Sequence, residues 1–306
     1  MDELTAAGIL DPELRASYEE CKRLNSLHGK TYYLATLLLP KSKRPHVHAL
    51  YGFARYADEI VDDLSSTLTI EEKSAYLKNW GEGVIEDIRL GTSKDHVGRA
   101  LVDTVQRFSI PIELFEAFLH SMTMDLSVTH YQTYEELMEY VYGSAAVIGL
   151  QMVPILGATN PEAYSAAEKL GIAFQLANFI RDIDEDLDRG RIYLPLDELE
   201  AAGVSREMLM ARVLTPQIKA ALQFQIARVR RLQSEAAVGI TMLDPTSQPC
   251  IQAASELYCG IVDEVEKINY EVFTHRATTS TWRRLKVALP AYLRAVRARS
   301  KSNNLR

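Results

Sequence analysis

Helical periodicity runs through almost the whole of this 306-residue chain, and the gaps fall where proline or glycine punctuates it. Apolar residues recur at three- and four-residue spacings over 12–26, 29–38, 45–64, 70–90, 95–109, 111–126, 133–157, 161–187, 205–213, 215–241, 248–274 and 280–297. Breaks fall at Pro40, Pro45, Pro111, Gly157 with Pro161, Gly190 to Pro195, and Pro245 with Pro249. No β-branched alternating stretch is bounded like a strand. No internal repeat or Gly/Ser linker divides the chain. The pattern predicts an all-α fold in a single domain spanning 1–306, with a flexible tail from about 298. In such a helical bundle, side chains on facing helices can build an interior site.

Charge narrows the function classes. A net charge of −7, with no long basic run before the C-terminal region, argues against nucleic acid as a partner. The three cysteines, Cys21, Cys250 and Cys259, are few, odd in number and without metal-type spacing, which fits a reducing, cytoplasmic setting. The first twenty residues are acidic and lack the apolar stretch of a secretory signal. No run of about 18 apolar residues is present, so no membrane-spanning helix is expected.

Two acidic stretches stand out against this background. Asp58 and Asp62 lie four residues apart in the first, and Asp182 and Asp186 in the second. Four residues are about one helical turn, so each pair shares a face. Such a concentration of charge on otherwise apolar helices is costly unless something positive sits between them. A hard divalent cation suits that need, Mg²⁺ above all, because it is held by a few carboxylates plus substrate phosphates. The aspartates are thus expected to face a ligand and not a core partner, so removing one should leave stability level or raise it.

On the first stretch, Tyr51, Arg55, Asp58 and Asp62 form one continuous face, while Glu59 and Asp63 point off it. Arg55 reads equally well as a helical ion-pair partner or as a clamp for a metal-bridged phosphate. On the second, Gln175, Asn178, Asp182 and Asp186 share a face and Arg181 sits beside Asp182. A solvated acidic helix end is the plain alternative there. Against it stand the strongly apolar segment from Gly171 to Ile183 and the matching pair elsewhere in the chain.

Other metal and cofactor chemistries fit poorly. An EF-hand starting at Asp182 would need Gly and Glu where Leu187 and Tyr193 stand. None of the seven histidines has a glutamate three residues before it, which excludes a di-iron bundle motif. No phosphate-binding glycine loop or dinucleotide fingerprint is present.

Taken together, Tyr51-x-x-x-Arg55-x-x-Asp58-x-x-x-Asp62 and Gln175-x-x-Asn178-x-x-Arg181-Asp182-x-x-x-Asp186-x-x-Arg189-Gly190-Arg191-x-Tyr193-Leu194-Pro195 resemble the squalene/phytoene synthase family. The stretches His28 to Thr36, Tyr142 to Gly149 and Tyr270 to Ala277 point to its phytoene synthase branch. The resemblance implies an isoprenoid synthase fold, with helices around a central cavity. It implies head-to-head joining of two geranylgeranyl diphosphates to phytoene, in carotenoid biosynthesis. Alternatives are squalene or dehydrosqualene synthesis from farnesyl diphosphate, or an inactive helical scaffold. It further implies that Asp58, Asp62, Asn178, Asp182 and Asp186 hold Mg²⁺, for which Mn²⁺ can substitute. Lys30, Thr31, Arg55, Arg181, Tyr193 and Arg276 would contact diphosphate, and Tyr51, Gln175 and Tyr258 would line the reacting region. No NADPH is expected, since phytoene synthases end by losing a proton where squalene synthases take a hydride.

Three further features have plain readings. The small residues from Gly143 to Gly157 mean close helix packing and, in this family, a wall for a prenyl tail. His28, His46, His48 and His275 read as polar or core histidines, not ligands. The segment from Trp282 to Arg306 mixes basic and apolar residues. It reads as a solvated helix end, with peripheral membrane contact for product release as the second expectation.

Overall fold

The computed structural model describes residues 1–62 and 67–304. Its helices run in the order α1 (Glu3–Ala6), α2 (Pro12–His28), α3 (Lys30–Thr36), α4 (Arg44–Asp62), α5 (Ile70–Leu90), α6 (His96–Phe108), α7 (Glu113–Met124) and α8 (Tyr134–Val141). A π-helical turn (Tyr142–Ala146) follows, then α9 (Val147–Leu156), α10 (Glu162–Arg181), α11 (Ile183–Asp188), α12 (Leu196–Ala201) and α13 (Arg206–Met210). The last four are α14 (Pro216–Ile240), α15 (Gln248–Tyr258), α16 (Ile261–Lys267) and α17 (Thr281–Asn304). Among the described residues β pairing is limited to two isolated bridges, His130 with Ile192 and Ala158 with Leu243.

The periodicity locates these helices well where the capping chemistry is strong. At the start of α5, Thr69 and Glu72 satisfy each other's backbone amides, and Gly91 closes the helix at φ 74°. Asp11, Asp95, Thr133, Ser205 and Thr215 accept first-turn amides, and Pro12 and Pro216 occupy first helical positions.

The structure departs from the expected helices in four places. The expected helix 133–157 is interrupted by the π-helical turn. A Cβ on Gly143 would collide with Ser121 Oγ and the Ala117 carbonyl, so only glycine lets this turn press onto α7. The expected helix 161–187 bends at Asp182 (φ −100°, ψ 14°), whose carboxylate is drawn aside by arginines. The expected helix 248–274 stops at Gly260, where a Cβ would lie 2.5 Å from the Glu256 carbonyl. After α16, Asn269 and Tyr270 adopt left-handed φ values of 53° and 67°. Finally, α17 continues to Asn304, so residues 298–304 are helical.

α10 is apolar on nearly every face and is accordingly central, touching α9, α14, α15, α16 and the π-helical turn. One core joins Leu176 and Ile180 of α10 to Leu222 and Ile226 of α14 and Val262 and Val265 of α16. A second joins Phe53 of α4 to Phe115 and Phe118 of α7, with Leu77, Leu101 and Val153, and a smaller third joins Tyr18 and Cys21 of α2 to Ala49 of α4 and Val97 and Ala100 of α6. Tyr134–Leu156 is the one described stretch long and apolar enough by composition to cross a membrane. Over its most apolar window it is 56% buried, packed on α7 and α10 as core.

Candidate active site

The site has a polar recess and an apolar cavity in series. The recess begins at the α2–α3 corner. A Cβ on Gly29 would lie 2.6 Å from the Tyr51 ring, so glycine alone lets this corner rest on α4. The corner delivers His28, Lys30 and Thr31 to the recess. Tyr51, Arg55 and Asp58 arrive from α4, Asn178 and Arg181 from α10, Tyr258 from α15, and Arg276 from the segment before α17. Nine of the residues proposed from sequence are thus brought to one place. The Asp62 side chain and Asp63 lie outside the described residues.

Tyr32 and Asn178 line both compartments and form the neck between them. The Tyr32 ring lies 5.0 Å from that of Tyr258 and 6.3 Å from that of Tyr51, and Phe174 stacks on Tyr258 at 4.9 Å. Burial pushes the Tyr51 hydroxyl up to about 12 and raises Tyr32 and Tyr258 as well. All three therefore stay neutral at ordinary pH and can donate to phosphate oxygens.

Below the neck lies an apolar cavity, about 1090 Å³ of space with its open mouth included. Ala35, Thr36 and Gln175 line it, with Ser144, Ala145 and Gly149 from the π-helical turn and α9, and Ala166, Ala167 and Gly171 from α10. The small residues serve packing and cavity together. A Cβ on Gly171 would sit 2.6 Å from the Ala145 carbonyl. The Thr36 hydroxyl donates to the Tyr32 carbonyl at 2.8 Å, leaving its methyl as the apolar part of the side chain.

The charges are unevenly matched. Asp182 accepts two bonds from Arg181, 2.7 and 2.5 Å, and a further one from Arg276 Nε at 3.0 Å. Its carboxylate thus has partners within the protein, which corrects the expectation that only a ligand would meet it. Asp186 is pushed up to about 7, by burial first and then by the negative charges of Asp182 and Asp125. Arg55 pairs with Glu59 at 3.1 Å. Asn178 Oδ1 is buried without a hydrogen-bond partner among the described residues.

These donors fit a hard divalent cation. The orphaned Asn178 oxygen and the destabilised Asp186 carboxylate both gain from a nearby positive charge. No closed cage of three or more acidic, His or Cys side chains occurs among the described residues. A Mg²⁺ ion here would complete its shell with water and substrate oxygens, its usual habit.

Tyr193 and Asp186 are not among the residues that line the recess. Tyr193 lines neither recess nor cavity, but a small pocket shared with Asp186, Phe179 and Arg191. Its ring stacks on Phe179 at 4.2 Å, and its hydroxyl donates to Asp125 at 2.9 Å. Arg191 also engages Asp125, through the Asp125 carbonyl at 2.8 Å. Asp125 is thereby tied to the Asp186 segment, and the sequence offered no spacing signal for it. Tyr32 and Arg284 were missed too, although both line the recess. Tyr32 follows Thr31 directly, and Arg284 was hidden in the basic C-terminal stretch. His28, read as a non-ligand histidine, lines the recess as well.

A sequence model of squalene/phytoene synthase matches residues 26–283. The chain is 37% identical over 294 residues to the 15-cis-phytoene synthase of Synechococcus elongatus, covering 92% of this chain and 94% of that one. It is 37% identical over 289 residues to phytoene synthase 2 of Solanum lycopersicum, covering 92% of each. Among solved structures, a dehydrosqualene synthase with bound ligand superposes with a TM-score of 0.84 at 26% identity, covering 96% of this chain and 100% of that one. Squalene synthase HpnC from Alicyclobacillus acidocaldarius gives 0.79 at 26% identity, covering 87% and 98%.

Proposed function

The chain belongs to the squalene/phytoene synthase family, and we propose that it condenses two geranylgeranyl diphosphates head to head into 15-cis-phytoene. The observation that carries the choice of substrate is the cavity wall just below the polar neck. Ala35 and Thr36 line it with small side chains, and in this reading a twenty-carbon tail runs past them. The names of the relatives at 37% identity support the same choice. One helical domain over the whole chain is part of the proposal.

In this reading Asp58, Asp62, Asn178, Asp182 and Asp186 hold Mg²⁺ against the two diphosphates. The bound metal supplies Lewis-acid neutralisation of the leaving diphosphate. Arg55, Arg181, Arg276 and Lys30 add charge at the diphosphate oxygens, with Arg giving a planar two-point grip. Tyr51, Tyr258 and Tyr32 ring the point where the allylic carbon loses its diphosphate, and their neutral hydroxyls donate to departing oxygens. The apolar cavity keeps water from the allylic cation until the second substrate's double bond attacks it. Loss of a proton closes the coupled cation to a cyclopropyl diphosphate, which ionises in turn and rearranges, and loss of a second proton ends the reaction. No nicotinamide is required. Tyr193, bonded to Asp125, supports Asp186 from behind.

A second reading, joining two farnesyl diphosphates, draws on the solved neighbours named squalene and dehydrosqualene synthases. Incubating purified protein with each diphosphate and Mg²⁺, with and without NADPH, separates the two. A forty-carbon triene that is indifferent to NADPH supports the first. A thirty-carbon product as the only outcome supports the second. EDTA should stop turnover, Mn²⁺ restore it and Ca²⁺ restore it poorly, since calcium seeks more ligands than this site offers. The reading includes a cytoplasmic enzyme working against a membrane, because a forty-carbon hydrocarbon leaves water at once.

A further inference from the structure

α17 presents its apolar side outward. Ala291 and Ala295 are fully buried, and the helix packs on α15. Trp282, Leu285, Leu289, Tyr292, Leu293 and Val296 are all exposed, Trp282 by 83% and Leu289 by 63%. At about 100° per residue these six fall within an arc of roughly 100°, centred about 130° round from the buried alanines. A surface helix ordinarily turns its apolar side to the core and its charges to water. Here the core contact is made by small side chains, and the large apolar ones have nothing over them. A contiguous stripe of this kind marks a contact surface.

Charge identifies the partner. Thr281–Asn304 contains seven arginines and lysines and no aspartate or glutamate. Against a whole-chain net charge of −7, that leaves −14 on the remaining residues. Arg283 is engaged by Asp263 and Glu264, and Arg299 by the Leu38 and Leu39 carbonyls. Lys286, Arg294 and Arg297 fall roughly together beside the apolar stripe. Basic residues flanking an exposed Trp/Leu face are the composition of a helix lying in an anionic membrane interface. A second copy of the chain fits worse, because pairing two such helices would juxtapose like charges.

Position adds a third strand. Arg276, Ala277, Thr278, Thr279 and Arg284 line the polar recess, and Trp282 lies between them in the chain. The apolar stripe therefore begins at the rim of the mouth. We infer that the outward face of α17 docks on an anionic lipid bilayer and holds the active-site mouth at its surface. Prenyl substrates and hydrocarbon product would then pass between bilayer and cavity without crossing water. The value of that placement rests on the proposed prenyl chemistry, but the docking itself does not.

The test uses the full chain without substrate, mixed with phosphatidylcholine vesicles with or without phosphatidylglycerol. Wild type should sediment with the phosphatidylglycerol vesicles, less so at high salt. Its tryptophan emission should shift to the blue, and the shift should vanish in Trp282→Phe. Leu285→Glu with Leu289→Glu should lower partitioning by about tenfold or more. Lys286→Gln, Arg294→Gln and Arg297→Gln together should do the same without touching an apolar residue, which covers the case of a misfolded double variant. Turnover of detergent-dispersed substrate should persist in both variants. Absent partitioning, or partitioning equal in wild type and variants, overturns the inference. So does a wild-type dimer that the leucine variant converts to monomer, which would make this face a protein interface. Loss of phytoene synthesis with intact vesicle binding would instead count against the proposed reaction.

Discussion

The two aspartate pairs look alike in sequence and differ in the fold. Asp58 sits on the uninterrupted surface of α4, where Arg55 is engaged by Glu59, one turn away and 44% exposed. Asp182 sits at a bend, gripped by Arg181 and Arg276, and its partner Asp186 is buried enough to be pushed up to about 7. Asp58 is exposed on that helix. The second pair is a buried anionic corner, half neutralised by the protein's own arginines. The contrast teaches that identical spacing does not fix electrostatic state, because burial and long-range arginines set it.

The largest expected effect tests whether both pairs serve the same chemistry. Asp58→Ala, Asp182→Ala and Asp186→Ala should each lower kcat by about 10²-fold or more, since each removes charge stabilisation at a departing diphosphate. Asp62→Ala should match them. Full activity in any variant, measured by diphosphate release, removes that residue from the site.

Next comes the cavity that both pairs serve. Thr36→Phe should cut kcat/KM for geranylgeranyl diphosphate by about ten- to hundredfold relative to farnesyl diphosphate, because an aromatic ring overfills the wall. An unchanged ratio in a competition assay would show that Thr36 does not meet the tail.

Stability then separates the pairs. Asp182→Ala should lower metal-free stability by about 1–3 kcal/mol, since it strands the mostly buried Arg181. Asp186→Asn should hold stability level or raise it. Urea unfolding gives both numbers, and equal behaviour of the two variants would erase the contrast.

The pH dependence follows from the same cause. The Asp186 carboxyl ionises near 4 when unfolded and near 7 when folded. Between those values the folded state holds the proton and the unfolded state does not. This group therefore makes stability fall as pH rises from 4 to 7, by at most about 1.4 kcal/mol per pH unit, and leaves it flat above. Asp186→Asn should remove that slope in metal-free protein, and an unchanged slope would place the titration elsewhere. The smallest effect belongs to the first pair. Glu59→Gln should change stability by only about 0.3–0.5 kcal/mol, as an exposed helical ion pair.

Much of this was legible in the chain. The order of long helices followed from periodicity and from breaks such as Pro111 and Gly157. Lys30, Tyr51, Arg55, Asp58, Asn178, Arg181, Tyr258 and Arg276 followed from spacing and resemblance, and they meet in one recess. What escaped was tertiary in origin. The π-helical turn depends on the approach of α7 to Gly143, which no local pattern encodes. The Asp182 grip depends on Arg276, ninety-four residues away. The Tyr193 bond depends on Asp125, sixty-eight residues upstream. Tyr32 was adjacent to named residues, but a tyrosine one step along a helix gives no sign that it forms a neck.

The central claim is that this pair of compartments is built for twenty-carbon substrates. The direct measurement is the ratio of kcat/KM for geranylgeranyl and farnesyl diphosphate in a competition with wild-type protein and Mg²⁺, reading the hydrocarbon products. The account predicts a ratio well above one, with 15-cis-phytoene as the main product and no response to NADPH. A ratio below one, with a thirty-carbon hydrocarbon as the main product, would contradict it.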